Sequence, residues 1–228
     1  MAMCLGSTKR DWKRAEREFR RALELNPSSA NGHYWYAFTL LALERRWDEA
    51  IREITVAVKL DPFSQIIAMN KAKILFFAGR REEAMVQFRS ALDMNPESGF
   101  AHGEYGMALV YMSHIDEGIR EIEKAVRMSP EVVSARLRLA LAYGLAKRTS
   151  EAENILREAE EALSRIYVPG TVIAMMHAVL GEKDRAFDEL NRAVREGTSM
   201  IGVLYEPVFD GLRTDPRFHE ILEKIGLS

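Results

Sequence analysis

Cysteine is almost absent from this 228-residue chain: Cys4 stands alone, so no internal disulfide and no paired-cysteine metal knuckle holds it together. Long apolar runs are missing too. Nothing approaches the roughly 20 consecutive apolar residues of a membrane span, and the opening MAMCLGSTKR is too short in apolar residues for a secretory leader. Charge of one sign is not in excess, because 32 Lys and Arg face 34 Asp and Glu, and a net charge of -2 argues against a general polyanion binder. A soluble protein in a reducing compartment, the cytoplasm, is the expectation. What is present is 47% hydrophobic residues, enough for a continuous core. Proline is sparse at seven residues, yet Pro62, Pro96 and Pro130 stand 34 apart.

That spacing is part of a larger pattern. WDEAIREITVAVKLDP from Trp47 is echoed by WKRAEREFRRALELNP from Trp12, REEAMVQFRSALDMNP from Arg81 and IDEGIREIEKAVRMSP from Ile115. Weaker copies follow at Thr149 and Lys183, so the six copies begin 35, 34, 34, 34 and 34 residues apart. A fixed period over nearly the whole chain is the mark of a repeat array, and it overrides any domain count from length.

Each unit has two stretches of helical apolar periodicity separated by a polar break. In the third, the spacing predicts a first helix over about Gln65 to Ala78 and a second over about Glu82 to Met94. Acidic residues at second-helix starts, such as Asp48 and Glu49, suit the positive end of the helix dipole. Each terminal proline biases the preceding residue, Asp61, Asn95 or Ser129, out of helical geometry. Small residues recur in two registers of the second helix: Ala15, Ala50, Ala84, Gly118, Ala152 and Ala186, then Ala22, Ala57, Ala91, Ala125, Ala159 and Ala193. Phe19, Ile54, Phe88, Ile122, Leu156 and Leu190 lie between them as knobs, while Ala37, Ala72, Gly106, Ala140 and Ala174 hold the close-contact position of first helices. Such small residues let helix axes approach at the near end of the roughly 8–10 Å range.

These residues resemble the tetratricopeptide repeat over about Asp11 to Glu196. Gly118 in place of alanine, Ser164 and Thr198 in place of proline, and one extra residue near Glu44 to Arg46 are its departures. The resemblance implies an all-α, right-handed superhelical solenoid of antiparallel helix pairs. Its expected parts are a truncated first unit of one second helix at 1–28, five units at 29–197 and a helical cap at 198–228. It further implies a protein-binding scaffold whose first helices line a concave groove, with Tyr34, Trp35, Phe38, Met69, Asn70, Lys73, Phe77, Glu104, Met107, Tyr111, Arg138 and Leu141 facing inward toward a partner protein or peptide. The carboxylate clamp of some members is not carried over, since Tyr34, Phe38, Phe100 and Glu104 stand where it needs basic or amide groups. HYWYAFTLLALERRWDEA, YVPGTVIAMMHAVLGEKDRAFDEL and EPVFDGLRTDPRFHEILEKIGL also resemble the repeat region of bacterial signalling proteins. A sensor or regulatory fragment of such a protein is therefore an alternative.

Catalysis is not expected: no nucleophile or carboxylate has a suggestive His or second acid at helical spacing, and glycine-rich phosphate loops are lacking. No cofactor is expected. His33 and His102 sit two units apart, too far to share a metal ion, and His177 reads as a core residue with one hydrogen bond. The first 21 residues hold seven Lys or Arg against three acids. Arg10, Lys13, Arg14, Arg17, Arg20 and Arg21 mark one face of a helix whose other face carries Trp12, Ala15, Phe19 and Ala22. An anion-binding module stays open on that face, although nucleic acid is not the expected partner. Because the first unit is incomplete, its uncapped surface is expected to be covered by a second copy or by upstream protein. At the other end, Pro207 to Phe209 and a helix from Asp215-Pro216, with Phe218, Ile221 and Leu222 turned inward, are expected to cap the stack.

Overall fold

The computed structural model describes residues 12–163, 168–197 and 206–227; Arg10, Ser164 and Thr198 lie outside them, as does the Ala159 side chain. Every regular element among the described residues is helical. First helices are α2 (Ala30–Tyr36), α4 (Gln65–Phe77), α6 (Gly99–Tyr111), α8 (Val133–Leu145) and α10 (Gly170–Val179). Second helices are α1 (Trp12–Leu25), α3 (Trp47–Leu60), α5 (Arg81–Met94), α7 (Ile115–Met128), α9 (Thr149–Leu163) and α11 (Lys183–Glu196). A 3-10 turn (Pro207–Leu212) and α12 (Pro216–Lys224) complete the chain. Two compact units emerge, residues 1–94 with 222–228 and residues 95–221.

Local chemistry sets the helix ends. Ser29, Ser64 and Ser98 cap α2, α4 and α6, their hydroxyls accepting from the amides of Gly32, Ile67 and Ala101 at 3.1, 3.4 and 3.2 Å. Each hairpin turn then needs one residue in the left-handed region, and Arg45, Gly79, Ser113, Lys147 and Gly181 occupy it in phase, with φ of 57, 84, 66, 58 and 79°. Only two of the five are glycine, the residue that adopts this geometry without a Cβ penalty.

The core follows the predicted registers. Ala50, Ala57, Ala84 and Ala91 are fully buried in the first unit, and the knobs Ile54 and Phe88 are 0% and 2% exposed. Burying a side chain of that size contributes about 1.5–3 kcal/mol. In the second unit Ile122, Ala186, Leu190 and Ala193 are equally enclosed. Ala22 departs from its register and is exposed. Its counterpart Ala125 is met by the start of its own first helix, at Gly99, whereas no described helix precedes α1.

One expectation is corrected. The extra residue of the second unit does not lengthen the loop near Glu44 to Arg46; a π segment at Ala37–Leu41 takes it up, with Ala42 N–H bonded to Ala37 O at 2.9 Å. An inserted residue inside a helix is accommodated by one wider turn. At the first helix the Trp12 indole donates to the Ile225 carbonyl at 2.8 Å within the first unit. In the C-terminal segment Phe218 and Ile221 are buried and Leu222 is half-buried.

Candidate binding groove

In the first unit the predicted residues of α2 and α4 form an aromatic and polar cluster. Tyr34 lies against Trp35 and Phe38, with ring centroids 4.6 and 6.0 Å apart. Lys73 Nζ sits 5.7 Å from the centroid of Phe38, within cation–π range. Asn70 is buried and spends its amide on the Ile66 carbonyl at 2.8 Å and the Tyr34 hydroxyl at 3.4 Å. The π segment changes the phase of the helix beyond it, and the Thr39 hydroxyl donates to the Trp35 carbonyl at 2.6 Å, fixing this stretch. Phe77 is half-buried, edge-on to Phe76 at 5.6 Å.

The second unit brings charge together. Arg138 Nη2 donates to Glu104 Oε1 at 2.6 Å, a pairing that satisfies an almost fully buried carboxylate. Room for the guanidinium comes from Gly103, where any Cβ would collide with Arg138 Nη1. Tyr111 donates to Glu206 Oε2 at 2.6 Å. Burial first, then the Glu206 carboxylate, pushes the Tyr111 phenol well above its ordinary value, against an opposing pull from Arg138.

Burial separates the predicted residues into two kinds. Tyr34, Met69, Asn70, Glu104, Met107 and Leu141 are buried, so they shape the wall. Trp35, Phe38, Lys73, Phe77, Tyr111 and Arg138 keep part of their surface. Sequence reasoning missed Phe63 and Ile66, which are 89% and 56% exposed at the start of α4, and it missed Gly103 and Glu206. The first two were visible as apolar residues where the preceding unit has Ser28 and Asn31. Glu206 lies outside the repeat and carries no phase signal.

Three of the five histidines are bonded between or within the helix pairs. His33 Nδ1 is 2.5 Å from Glu53 and Nε2 is 3.0 Å from the Pro27 carbonyl; His102 repeats the arrangement with Glu121 at 2.5 Å and Pro96 at 2.8 Å. His177 is buried with Nδ1 2.6 Å from Glu182. Among the described residues no group of three His, Cys, Asp or Glu is placed to hold a metal ion, and no helix is long and apolar enough to cross a membrane. On the basic face of α1, Arg20 is held by Glu16 at 2.8 Å, while Lys13, Arg17 and Arg21 are exposed. A separate open depression of about 440 Å³ lies among α3, α4 and α5, lined by Ile51, Leu75 and Val86 with Lys71, Arg80 and Glu82. None of the predicted groove residues reaches it.

Comparison with known proteins agrees with the helix pairs. The tetratricopeptide repeat pattern matches residues 8–64 and 104–165, and a second form of it matches 67–98. Human tetratricopeptide repeat protein 6 is 20% identical over 147 residues; the match takes in 64% of this chain and spans 28% of the human protein's length. Among solved structures, PilF of Pseudomonas aeruginosa shares 18% identity at a TM-score of 0.55, covering 94% of this chain and 90% of that one. TTC0263, a thermophilic TPR protein of Thermus thermophilus, shares 18% at 0.59, covering 86% of this chain and 100% of that one. MamA shares 21% at 0.53, covering 69% and 94%. At these identities the structural likenesses speak for the fold alone.

Proposed function

This chain belongs to the tetratricopeptide repeat family, and from that membership we propose that it is a scaffold whose first helices hold a partner protein or peptide, without catalysis. The observation that carries the reading is that the first-helix aromatics Trp35, Phe38 and Phe77 are half-buried, with Lys73 set over Phe38. Aromatic side chains left partly open beside a cation are the kind of group that dominates binding energy at protein interfaces. Phe63 and Ile66, at the start of α4, are further exposed apolar side chains. The proposed setting is the cytoplasm, with which a single cysteine is compatible. Self-association through α1 is a narrower part of the proposal, resting on exposed Ala22 and on Leu25, which is 79% exposed.

The test is selection of peptides from a random display library on the intact chain, followed by affinity measurement with a Phe38→Ala/Phe77→Ala double variant. Val86→Ala, in the separate depression, is the control. The double variant should lose at least about tenfold in affinity, since interface aromatics commonly contribute more than 1 kcal/mol each. Equal binding by the double variant and the wild type would place the contact elsewhere and overturn the reading.

A further inference from the structure

One register of the first helices reads Tyr36, Lys71, Tyr105, Leu139 and Ile173, immediately before the close-contact alanine or glycine. Lys71 is the exception among large aromatic and aliphatic side chains. Tyr36 shows what the position does. It is 4% exposed, its ring stacks on Phe19 of α1 at 5.4 Å, and its hydroxyl donates to Glu16 Oε1 at 3.1 Å. Arg20 and Arg46 act on the same phenol electrostatically, so Glu16, Arg20 and Arg46 are the groups that meet its outer end.

The repeat carries that slot forward by one hairpin. Glu16, Arg20 and Arg46 correspond to Ile51, Thr55 and Arg80, which stand 35, 35 and 34 residues further on. All three line the open depression of about 440 Å³ among α3, α4 and α5, together with Lys71 and Leu75. The depression is therefore the place that a tyrosine fills one hairpin earlier. It stays open because a flexible, half-buried lysine stands where the ring would be. Its volume falls within the range of about 300–1,000 Å³ common to ligand pockets.

The chemistry of the slot has changed with its owner. Ile51 in place of Glu16 and Thr55 in place of Arg20 remove both charges that meet Tyr36 from α1, leaving an apolar wall with one hydroxyl. On the rim, Arg80 donates through Nε and Nη2 to the Glu83 carboxylate at 2.6 Å each, whereas Lys71 acts on Glu83 only through space. Glu82 on the same rim is exposed. A lysine whose nearby carboxylate is already engaged by an arginine complements an acid that arrives with the ring.

We propose that this depression is a second contact surface, between the second helices α3 and α5, and that it accepts a tyrosine side chain of a partner protein with an acidic residue beside it. The ring packs against Ile51 and Leu75, and Lys71 meets the acid. Burial of the ring supplies most of the affinity, while the rim pair orients the segment more than it holds it. The surface is separate from the first-helix groove, so either can fail without the other.

Heteronuclear NMR on the full chain tests this with the blocked tripeptides Asp-Tyr-Gly, Asn-Tyr-Gly and Asp-Ala-Gly, and with free tyrosine. Asp-Tyr-Gly should give saturable shifts at the amides of Thr55, Lys71 and Leu75. Asn-Tyr-Gly should bind about two- to fivefold more weakly, the contribution of an exposed ion pair. Asp-Ala-Gly should bind at least about tenfold more weakly for want of the ring. Lys71→Tyr returns the residue of the neighbouring hairpins to the slot and should abolish the shifts in a folded protein. Thr55→Arg, which restores the residue of α1, is the second occluding variant and decides the matter if the first does not fold. Absence of saturable shifts in the wild type, or equal binding by the occluding variants, overturns the proposal. Shifts centred on Phe38 and Phe77 instead would place the tyrosine in the groove and also overturn it. Tighter binding of free tyrosine than of Asp-Tyr-Gly would make this a small-molecule site and remove the partner.

Discussion

Gly106 and Gly118 face each other where α6 crosses α7. A Cβ on Gly118 would stand 2.5 Å from the Gly106 carbonyl oxygen, and one on Gly106 would stand 2.7 Å from the Gly118 carbonyl oxygen. The other second helices carry alanine at the Gly118 register, so the third hairpin is closed by two glycines where its neighbours use at most one small Cβ per side.

Gly118→Ala should therefore destabilise the protein even though it restores the residue found in the other units. Helix propensity favours alanine by about 1 kcal/mol, but the obstacle is backbone on the facing helix, and overpacking of this kind costs about 1–3 kcal/mol. A net loss near 1 kcal/mol is expected, read as a lower denaturant midpoint with unchanged slope. An unchanged or higher midpoint would mean that α6 and α7 separate easily.

The opposite sign is expected one turn away. Ser113 has φ 66° in the turn position that Gly79 and Gly181 fill elsewhere. Glycine there relieves a left-handed strain of about 1–2 kcal/mol, offset by the roughly 0.4–1 kcal/mol of extra chain entropy it gives the unfolded state. Ser113→Gly should stabilise by about 0.5–1 kcal/mol on the balance of those two effects, and Lys147→Gly should do likewise. Thermal unfolding of the two single variants and their double measures it; destabilisation by both would show that the side chains contribute more than the turn costs.

The same turn shows what the sequence discloses. Period, hairpin boundaries and small-residue registers are legible because each unit must present equivalent surfaces to its neighbours, which forces Ala50, Ala84 and Ala186 into phase. The inserted residue of the second unit is countable but not locatable, since matching Ser29 to Ser64 and Trp47 to Arg81 leaves the whole intervening stretch open. Only hydrogen bonding puts it in the π segment at Ala37–Leu41. Likewise, one face of α4 contains both Met69 and Phe77, and periodicity alone does not separate the buried residue from the half-buried one. Glu206 reaches Tyr111 through a connection outside the repeat, so no spacing foretells it.

Acid should weaken the ties between first and second helices. Burial raises the Glu121 carboxyl, but bonds from Lys124 and His102 outweigh it and hold the group below its usual 4.5. Glu16 is similar: burial raises it, and Arg46, Arg20 and Tyr36 bring it below 4.5. A depressed carboxyl contributes stability that is fully present above the unfolded-state value and is lost as pH falls through the folded one. Melting temperature should accordingly fall as pH drops below about 4.5, the ordinary value for glutamate, and Glu121→Gln should flatten that slope while lowering stability at pH 7. An identical slope in the variant would assign the acid loss to other carboxylates.

Leu25 and Ala22 give the self-association proposal its handle. Leu25 is 79% exposed at the end of α1, and Ala22, one turn earlier, is exposed where its described counterparts Ala57, Ala91, Ala125 and Ala193 are buried. Yet the Trp12 indole is already bonded to Ile225, so the apolar start of α1 is engaged, and exposed Ala22 and Leu25 lie in its final turns. A contact restricted to those turns is small, and small interfaces give weak association. Light scattering should show mass rising with concentration above roughly 10 µM, a free energy near 7 kcal/mol by the usual conversion. Leu25→Glu should abolish the rise without changing the melting temperature by more than about 2 °C, as an exposed substitution does. A wild type that stays monomeric throughout, or a variant that associates equally, would remove α1 as an interface.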